Sequence, residues 1–147
     1  MIRTLKLWPI IAGVLIDSVG SIGLAILYVL VIFGMQILRG APPADDPLTE
    51  PHLVVIQILG LLITTLGGFA AAQMAKTLHV QHGIAVGVVG LVVWLLVVWV
   101  SPSEGLPTWY EALWYVSAVP AGGLGGYAAA RRANRPLQPS SGANALS

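Results

Sequence analysis

The sequence predicts an all-α, polytopic membrane protein with four transmembrane helices arranged as two repeated hairpins. Three observations predict it: an apolar composition, four long apolar stretches, and a Gly/Ala motif that occurs twice. Of the 147 residues, 56% are hydrophobic and 9% are charged. A soluble domain carries about a quarter charged residues. A water-soluble fold of this length would have too few polar side chains to cover its apolar surface.

Four stretches are long enough to cross a bilayer. A hydrocarbon core about 30 Å thick needs about 20 apolar residues in a helix, and the first stretch is longer, so it would tilt or extend beyond the core. We expect one transmembrane domain over residues 1–133 and a disordered cytoplasmic tail over residues 134–147, which is rich in Pro, Ser, Gly and Asn. The predicted spans are Pro9–Leu38, Leu53–Met74, Gly83–Val100 and Trp109–Ala130.

The basic residues predict the orientation of the spans, because Lys and Arg concentrate on the cytoplasmic side. With four spans, six of the seven basic residues fall on the side of both termini, and only Arg39 falls opposite. Both termini are therefore expected to be cytoplasmic. The acids other than Asp17 agree, since they lie in loops or at a span end and all fall on the opposite side: Asp45, Asp46, Glu50, Glu104 and Glu111.

The internal repeat is carried by the second and fourth spans. Gly67–Gln73 reads GGFAAAQ and Gly125–Arg131 reads GGYAAAR, so the two segments align residue for residue. The pattern favours two parallel hairpins related by an axis along the membrane normal. The alternative is a chance similarity between Gly/Ala-rich helix ends. The first and third spans align more weakly, through Gly13 with Gly83 and Gly20 with Gly90.

Small residues also recur every four positions, which places them on one helix face. Such stripes let transmembrane helices approach closely. We expect the second and fourth spans to form the central contact and to leave little internal cavity. Alternatively, one stripe faces a second protomer. The predicted packing residues are Gly60, Gly68, Gly122 and Gly126.

Asp17 is the only acid inside a span, about 13 Å along the helix from Trp8. An Asp at that depth costs about 2.5–3.5 kcal/mol, so it needs partners. One interpretation is a proton or cation site on a transport path. The other is a protonated structural group that forms hydrogen bonds. Gln57 is a further possible partner, and the candidate polar site is Asp17, Ser18, Ser21, Thr64 and Thr65.

Enzyme, metal and nucleic-acid functions lack a sequence signal. The chain has no cysteine and no nucleophile or metalloprotease motif. His79 and His82 are expected in a solvated cytoplasmic loop, without enough further ligands for zinc. No basic patch favours nucleic acid. We therefore expect no catalytic residues, no metal and no cofactor.

Three segments resemble small, uncharacterised bacterial four-helix integral membrane proteins: Gly13–Ser21, Gly67–Ala72 and His82–Gly87. The resemblance implies a multi-pass protein of the bacterial inner (plasma) membrane and carries no activity with it. The leading functional hypothesis is a non-enzymatic structural or accessory subunit. Its partners would be the lipid bilayer and either further copies of the chain or another membrane protein. The alternative is a small proton- or cation-coupled transporter or channel that uses Asp17.

Overall fold

The computed structural model describes residues 4–40, 50–100 and 106–135, and it confirms the all-α prediction. Over these ranges the chain forms four α-helices and no strand. The predicted outer acids Asp45, Asp46 and Glu104, and the tail beyond Arg135, lie outside the described residues. The helices are α1 (Leu7–Leu38), α2 (Glu50–Ala75), α3 (His79–Val100) and α4 (Thr108–Ala133).

Among the described residues, α1, α2 and α3 are long and apolar enough to cross a membrane. Their most apolar windows have mean hydropathies of 2.3, 2.2 and 2.7. Large apolar side chains cover their outer faces, including Leu15, Val19 and Ile58. α4 is as long as α2, but its glycines and aromatic residues give it a lower hydropathy, and it is not one of the three. The outer surface therefore suits lipid.

Viewed along the bundle, the four helices lie at the corners of a rhombus. α2 and α3 occupy the two opposite corners that are in contact, and α1 and α4 occupy the other two. α1 contacts α2 and α3, and α4 contacts the same two helices, with the α2–α4 contact the most extensive. Within the described residues, α1 and α4 do not touch. A two-fold axis relating the hairpins would pair the α2–α3 contact with an α1–α4 contact. The hairpins are therefore not equivalent in their packing, and the repeat stays a prediction from sequence.

One end of the bundle, here called the closed end, carries the start of α1 and α3 and the finish of α2 and α4. Backbones touch there. A Cβ on Gly13 would lie 2.7 Å from the carbonyl oxygen of Gly67, and a Cβ on Gly67 would lie 2.7 Å from that of Gly13. Gly68 and Gly83 meet the backbone of Gly122 in the same way. Any side chain would force these helices apart, so glycine fixes their spacing. The alanines packed beside them are completely buried: Ala71, Ala72, Ala75 and Ala129.

His82 lies in the closed end, and the expectation of a solvated loop is wrong for it. α3 begins at His79, and His82 is completely buried one turn later. Its Nε2 accepts a hydrogen bond from the backbone N–H of Lys6 (3.0 Å), so its Nδ1–H donates to the carbonyl of Leu78 (3.0 Å). The Lys6 ammonium donates to the carbonyl of Ala75 (3.4 Å). The imidazole therefore joins the entry to α1 to the first turn of α3.

Candidate functional site

Asp17 lies in the middle of α1, about 15 Å along the helix from Leu7. Its side chain is 5% exposed. The Thr64 hydroxyl of α2 donates a hydrogen bond to Asp17 Oδ1 at 2.7 Å. Two glycines make room for the carboxyl: a Cβ on Gly67 would lie 3.2 Å from Asp17 Cβ, and one on Gly90 would lie 3.1 Å from Oδ2. The carboxyl is thus held by one neutral donor, with Oδ2 turned toward α3.

A cavity of about 360 Å³ reaches from Asp17 toward the opposite end of the bundle, here called the open end, where Leu38, Glu50, Val100 and Thr108 lie. All four helices line it. Its size falls in the range of about 300–1,000 Å³ typical of small-molecule sites. The expectation of little internal cavity is therefore wrong.

The small residues that close the bundle stop near Asp17, and larger side chains replace them beyond it. The cavity's inward-facing side chains toward the open end include Tyr28, Trp94, Tyr110 and Trp114. These rings hold the helices apart, so the same four helices that touch at one end enclose a space at the other.

Two tryptophans form the part of the wall nearest to Asp17. The Trp94 and Trp114 rings lie 5.9 Å apart between centroids, with their planes tilted by 59°. A Cβ on Gly60 would lie 3.3 Å from the Trp114 ring, so Gly60 makes space for a ring and not for a backbone. Trp94 follows Gly90 by four residues, and Gly60 precedes Thr64 by four. The pair therefore lies about one helical turn, roughly 6 Å, above the Asp17–Thr64 bond.

The indole N–H groups of Trp94 and Trp114 are buried and have no partner among the described residues. They point into protein, so what the pair presents to the cavity is ring carbon. Ring faces of tryptophan attract cations. The wall is therefore aromatic close to the acid.

Tyr28 and His52 meet at the end of the cavity that lies toward the open end of the bundle. The Tyr28 hydroxyl lies 2.7 Å from His52 Nδ1, and the two rings are arranged edge to face. Tyr28 follows Asp17 by eleven residues, which is about 16 Å along α1. The polar groups of the cavity thus lie at its two ends, with an apolar stretch between them.

The structure brings some of the predicted site residues together and separates others. Ser18 and Ser21 line the cavity beside Asp17, and the Ser21 hydroxyl has no partner among the described residues. Thr65 does not join the site, because its hydroxyl donates to the carbonyl of Leu61 in its own helix (2.8 Å). Gln57 is 2% exposed, lies outside the cavity lining, and has no described partner for either amide atom.

Sequence reasoning missed Gly90, Trp94 and Trp114 as parts of this site. The available signal was a Trp in the middle of the third span, four residues after a glycine. That spacing shows that Gly90 and Trp94 share a helix face. It does not show that Asp17 of α1 lies against that face, which depends on how the two helices pack.

Among the residues that the structure describes, Asp17 is the only carboxyl group that lines the cavity, and no Lys, Arg or His belongs to the lining. Within the part of the chain that the structure describes, no three His, Cys, Asp or Glu side chains come together as metal ligands. The negative charge of an ionised Asp17 would therefore have to be balanced by a bound cation or removed by protonation.

Comparisons with known protein families, with curated proteins and with solved structures give no match to this chain. The chemistry of the cavity is therefore what points to a function.

Proposed function

We propose that this chain is a non-enzymatic integral membrane protein that couples proton movement to cation movement through Asp17. The observation that supports the proposal is a cavity that ends on a buried carboxyl and whose described lining residues include no second carboxyl and no cationic side chain. Intramembrane acids cost free energy and face bundle interiors or water-filled cavities when they serve transport. Among the described residues, the Asp17 carboxyl has only the Thr64 hydroxyl as a hydrogen-bond partner, so the chemistry that this end of the cavity favours is binding.

Four spans, with both termini cytoplasmic, are part of the proposal. α4 packs along α2 and α3, which supports placing it in the same apolar slab despite its lower hydropathy. Its small residues face other helices, so lipid does not have to solvate them. The closed end carries Lys6, Arg131 and Arg132, and a cluster of basic residues marks a cytoplasmic side. The plasma membrane is the proposed location.

Coupling follows from the single carboxyl. A proton and a cation cannot both occupy Asp17, so binding of one releases the other. The glycine contacts seal the closed end below Asp17 while the cavity approaches it from the open end. Transport then requires the closed end to open when the open end closes, as in the rocking of transporter repeats around a fixed site.

An accessory subunit, which was the leading hypothesis from the sequence, is the second candidate. The observation in its favour is the missing contact between α1 and α4 in the described residues, which leaves a gap beside the cavity. The half of α1 beyond Asp17 exposes large apolar side chains such as Ile26, Leu30 and Ile37. A helix of another membrane protein, or of a second copy, would cover this surface.

The test is proton flux in liposomes that contain the purified protein. We expect external Na⁺, K⁺ or a small ammonium ion to drive proton release from liposomes that carry the wild type. Asp17→Asn should reduce release to the rate of protein-free liposomes. Glu50→Gln is the matched control, because Glu50 is an exposed acid outside the cavity, and it should behave as the wild type.

The contrary result is wild-type release equal to that of empty liposomes with every cation, from protein that elutes as one homogeneous species. Transport through Asp17 would then be wrong. A stable partner recovered from native membranes would in that case support the accessory subunit.

A further inference from the structure

We propose that the cavity binds a monovalent organic cation, an amine or quaternary ammonium with an apolar body, whose charged head lies between Asp17 Oδ2 and the Trp94–Trp114 pair. The inference rests on the proposed function, because it assigns the same carboxyl to cation binding. It goes further by naming the class of cation and the groups that select it.

The position of the ligand's charged head follows from the space that lies next to Asp17 Oδ2 in the direction of the open end. Gly90 has no side chain, and a Cβ there would come within 3.1 Å of Oδ2. The tryptophan pair lies about one helical turn higher. A cation placed between Oδ2 and the pair would lie within the roughly 6 Å over which a tryptophan ring attracts it. In this proposed arrangement the carboxylate lies below the head and the tryptophan rings lie above it, which suits an alkylated ammonium.

The position of the ligand's apolar part follows from the residues that line the cavity. Between Asp17 and the open end of the bundle, the cavity is lined by aliphatic side chains, among them Ile22, Leu59 and Val97. Pockets with mostly apolar walls and few placed polar groups bind organic molecules. The ligand's apolar part would extend from the head toward Tyr28 and Tyr110.

Inorganic cations fit this cavity poorly. Hard metal ions take about six or more oxygen ligands, whereas the lining near Asp17 supplies one carboxylate and the hydroxyls of Ser18 and Ser21. A bare ion would lose more hydration than these oxygens replace. An alkylated ammonium is weakly hydrated and needs no such shell, so the sparse polar lining selects for it.

Anions and neutral ligands are disfavoured by the same lining. The described residues that line the cavity include no Lys, Arg or His to attract an anion. A neutral ligand gains nothing from an ionised Asp17, and the cost of burying that acid would stay unbalanced. The charge of the site therefore decides the class of ligand.

The experiment is equilibrium dialysis of the detergent-purified protein against benzyltrimethylammonium and against its neutral carbon isostere, neopentylbenzene. We expect saturable binding of the ammonium and only detergent-like partitioning of the isostere. Asp17→Asn should weaken ammonium binding at least about tenfold, since the Coulombic attraction between the carboxylate and the ammonium is lost. Trp94→Leu should weaken it about 5- to 30-fold, the range of a desolvated cation–π contact.

Gly90→Ala tests the position of the head without changing any charge. The added methyl would lie beside Oδ2, so ammonium binding should fall several-fold. Gly23→Ala is the matched control, since a Cβ on Gly23 meets nothing within 4 Å, and it should bind as the wild type. Each variant is first shown to elute as a homogeneous species with wild-type helix content. The comparison of the two ligands on the wild type needs no variant.

The outcomes separate this inference from the proposed function. Equal binding of the ammonium and its isostere, or wild-type affinity in both Asp17→Asn and Gly90→Ala, overturns the ligand class. Proton flux that still depends on Asp17 would then leave transport standing. Conversely, ammonium binding that depends on Asp17 without any proton release in liposomes overturns transport and supports the binding site.

Discussion

The two ends of the bundle are built from the same four helices and differ in one property, the volume of the side chains between them. At the closed end, Gly13 meets Gly67 and Gly68 meets Gly122, so backbones touch. At the open end the corresponding space is occupied by rings and by a cavity. Apolar character does not explain the difference, because both ends are apolar. In lipid there is no hydrophobic drive between helices, so close backbone contact decides where they associate.

The Asp17–Thr64 hydrogen bond marks the boundary between the two ends. Below it lies Gly67, and above it lie the tryptophans and the cavity. One side of the buried acid supplies a hydrogen-bond donor, and the other side opens into the cavity. The comparison therefore predicts that substitutions at the closed end disturb stability more than substitutions in the cavity do.

The largest effect is expected for Gly125→Ala. A Cβ on Gly125 would collide with the carbonyl oxygen of Thr65 and lie 2.6 Å from the backbone nitrogen of Phe69. Backbone atoms cannot rotate away as a side chain would, so α2 and α4 must separate. We expect a loss of roughly 3 kcal/mol in the free energy of unfolding, the upper part of the usual range for overpacking, measured by unfolding in mixed micelles followed by circular dichroism.

Gly23→Ala is the control for this change, because it adds the same methyl group in open space. In a helix it should raise stability by up to about 0.5–1 kcal/mol. Equal stabilities for the two variants would contradict the view that backbone contact holds the closed end together.

The next effect concerns the imidazole that joins the entry of α1 to α3. His82→Leu leaves the N–H of Lys6 and the carbonyl of Leu78 without their side-chain partner. A lost partner of this kind costs about 1–3 kcal/mol. We expect the amide of Lys6 to exchange hydrogen faster in the variant, and unfolding to need about 2 kcal/mol less. His79→Leu is the control, since the His79 ring has no hydrogen-bond partner in the part of the chain that the structure describes. Unchanged Lys6 exchange in His82→Leu would contradict the proposed link.

The four helices and the position of Asp17 inside the first of them could be predicted from the sequence because both are local properties. A run of about 20 apolar residues needs a helix in lipid wherever it packs, and an acid within it is conspicuous. The burial of His82 could not be predicted in this way. It depends on α3 starting at His79, which follows from left-handed backbone at Lys76 (φ 60°) and Leu78 (φ 51°) in the preceding turn.

The cavity could not be predicted because it belongs to no single helix. Trp94 and Trp114 lie on different helices, and their contact depends on how α3 packs against α4. The small-residue stripes indicated close packing along whole helices. In the structure the stripe residue Gly60 faces a ring, since the stripe continues past the point where the helices separate.

The smallest effect is expected at the boundary itself. Thr64→Val keeps the side-chain shape and removes the donor to Asp17 Oδ1, whereas Thr64→Ser keeps the hydroxyl. Hydrogen bonds between transmembrane helices contribute roughly 0.6–1.7 kcal/mol. A double-mutant cycle of Thr64→Val with Asp17→Ala, which removes the acceptor, should therefore give a coupling free energy in that range. Thr65→Val is the control, because the Thr65 hydroxyl bonds only to Leu61 of its own helix, and its coupling to Asp17→Ala should be near zero. If the Thr64 coupling were also near zero, the bond would not hold α1 against α2, and the glycine contacts alone would set the depth at which the cavity ends.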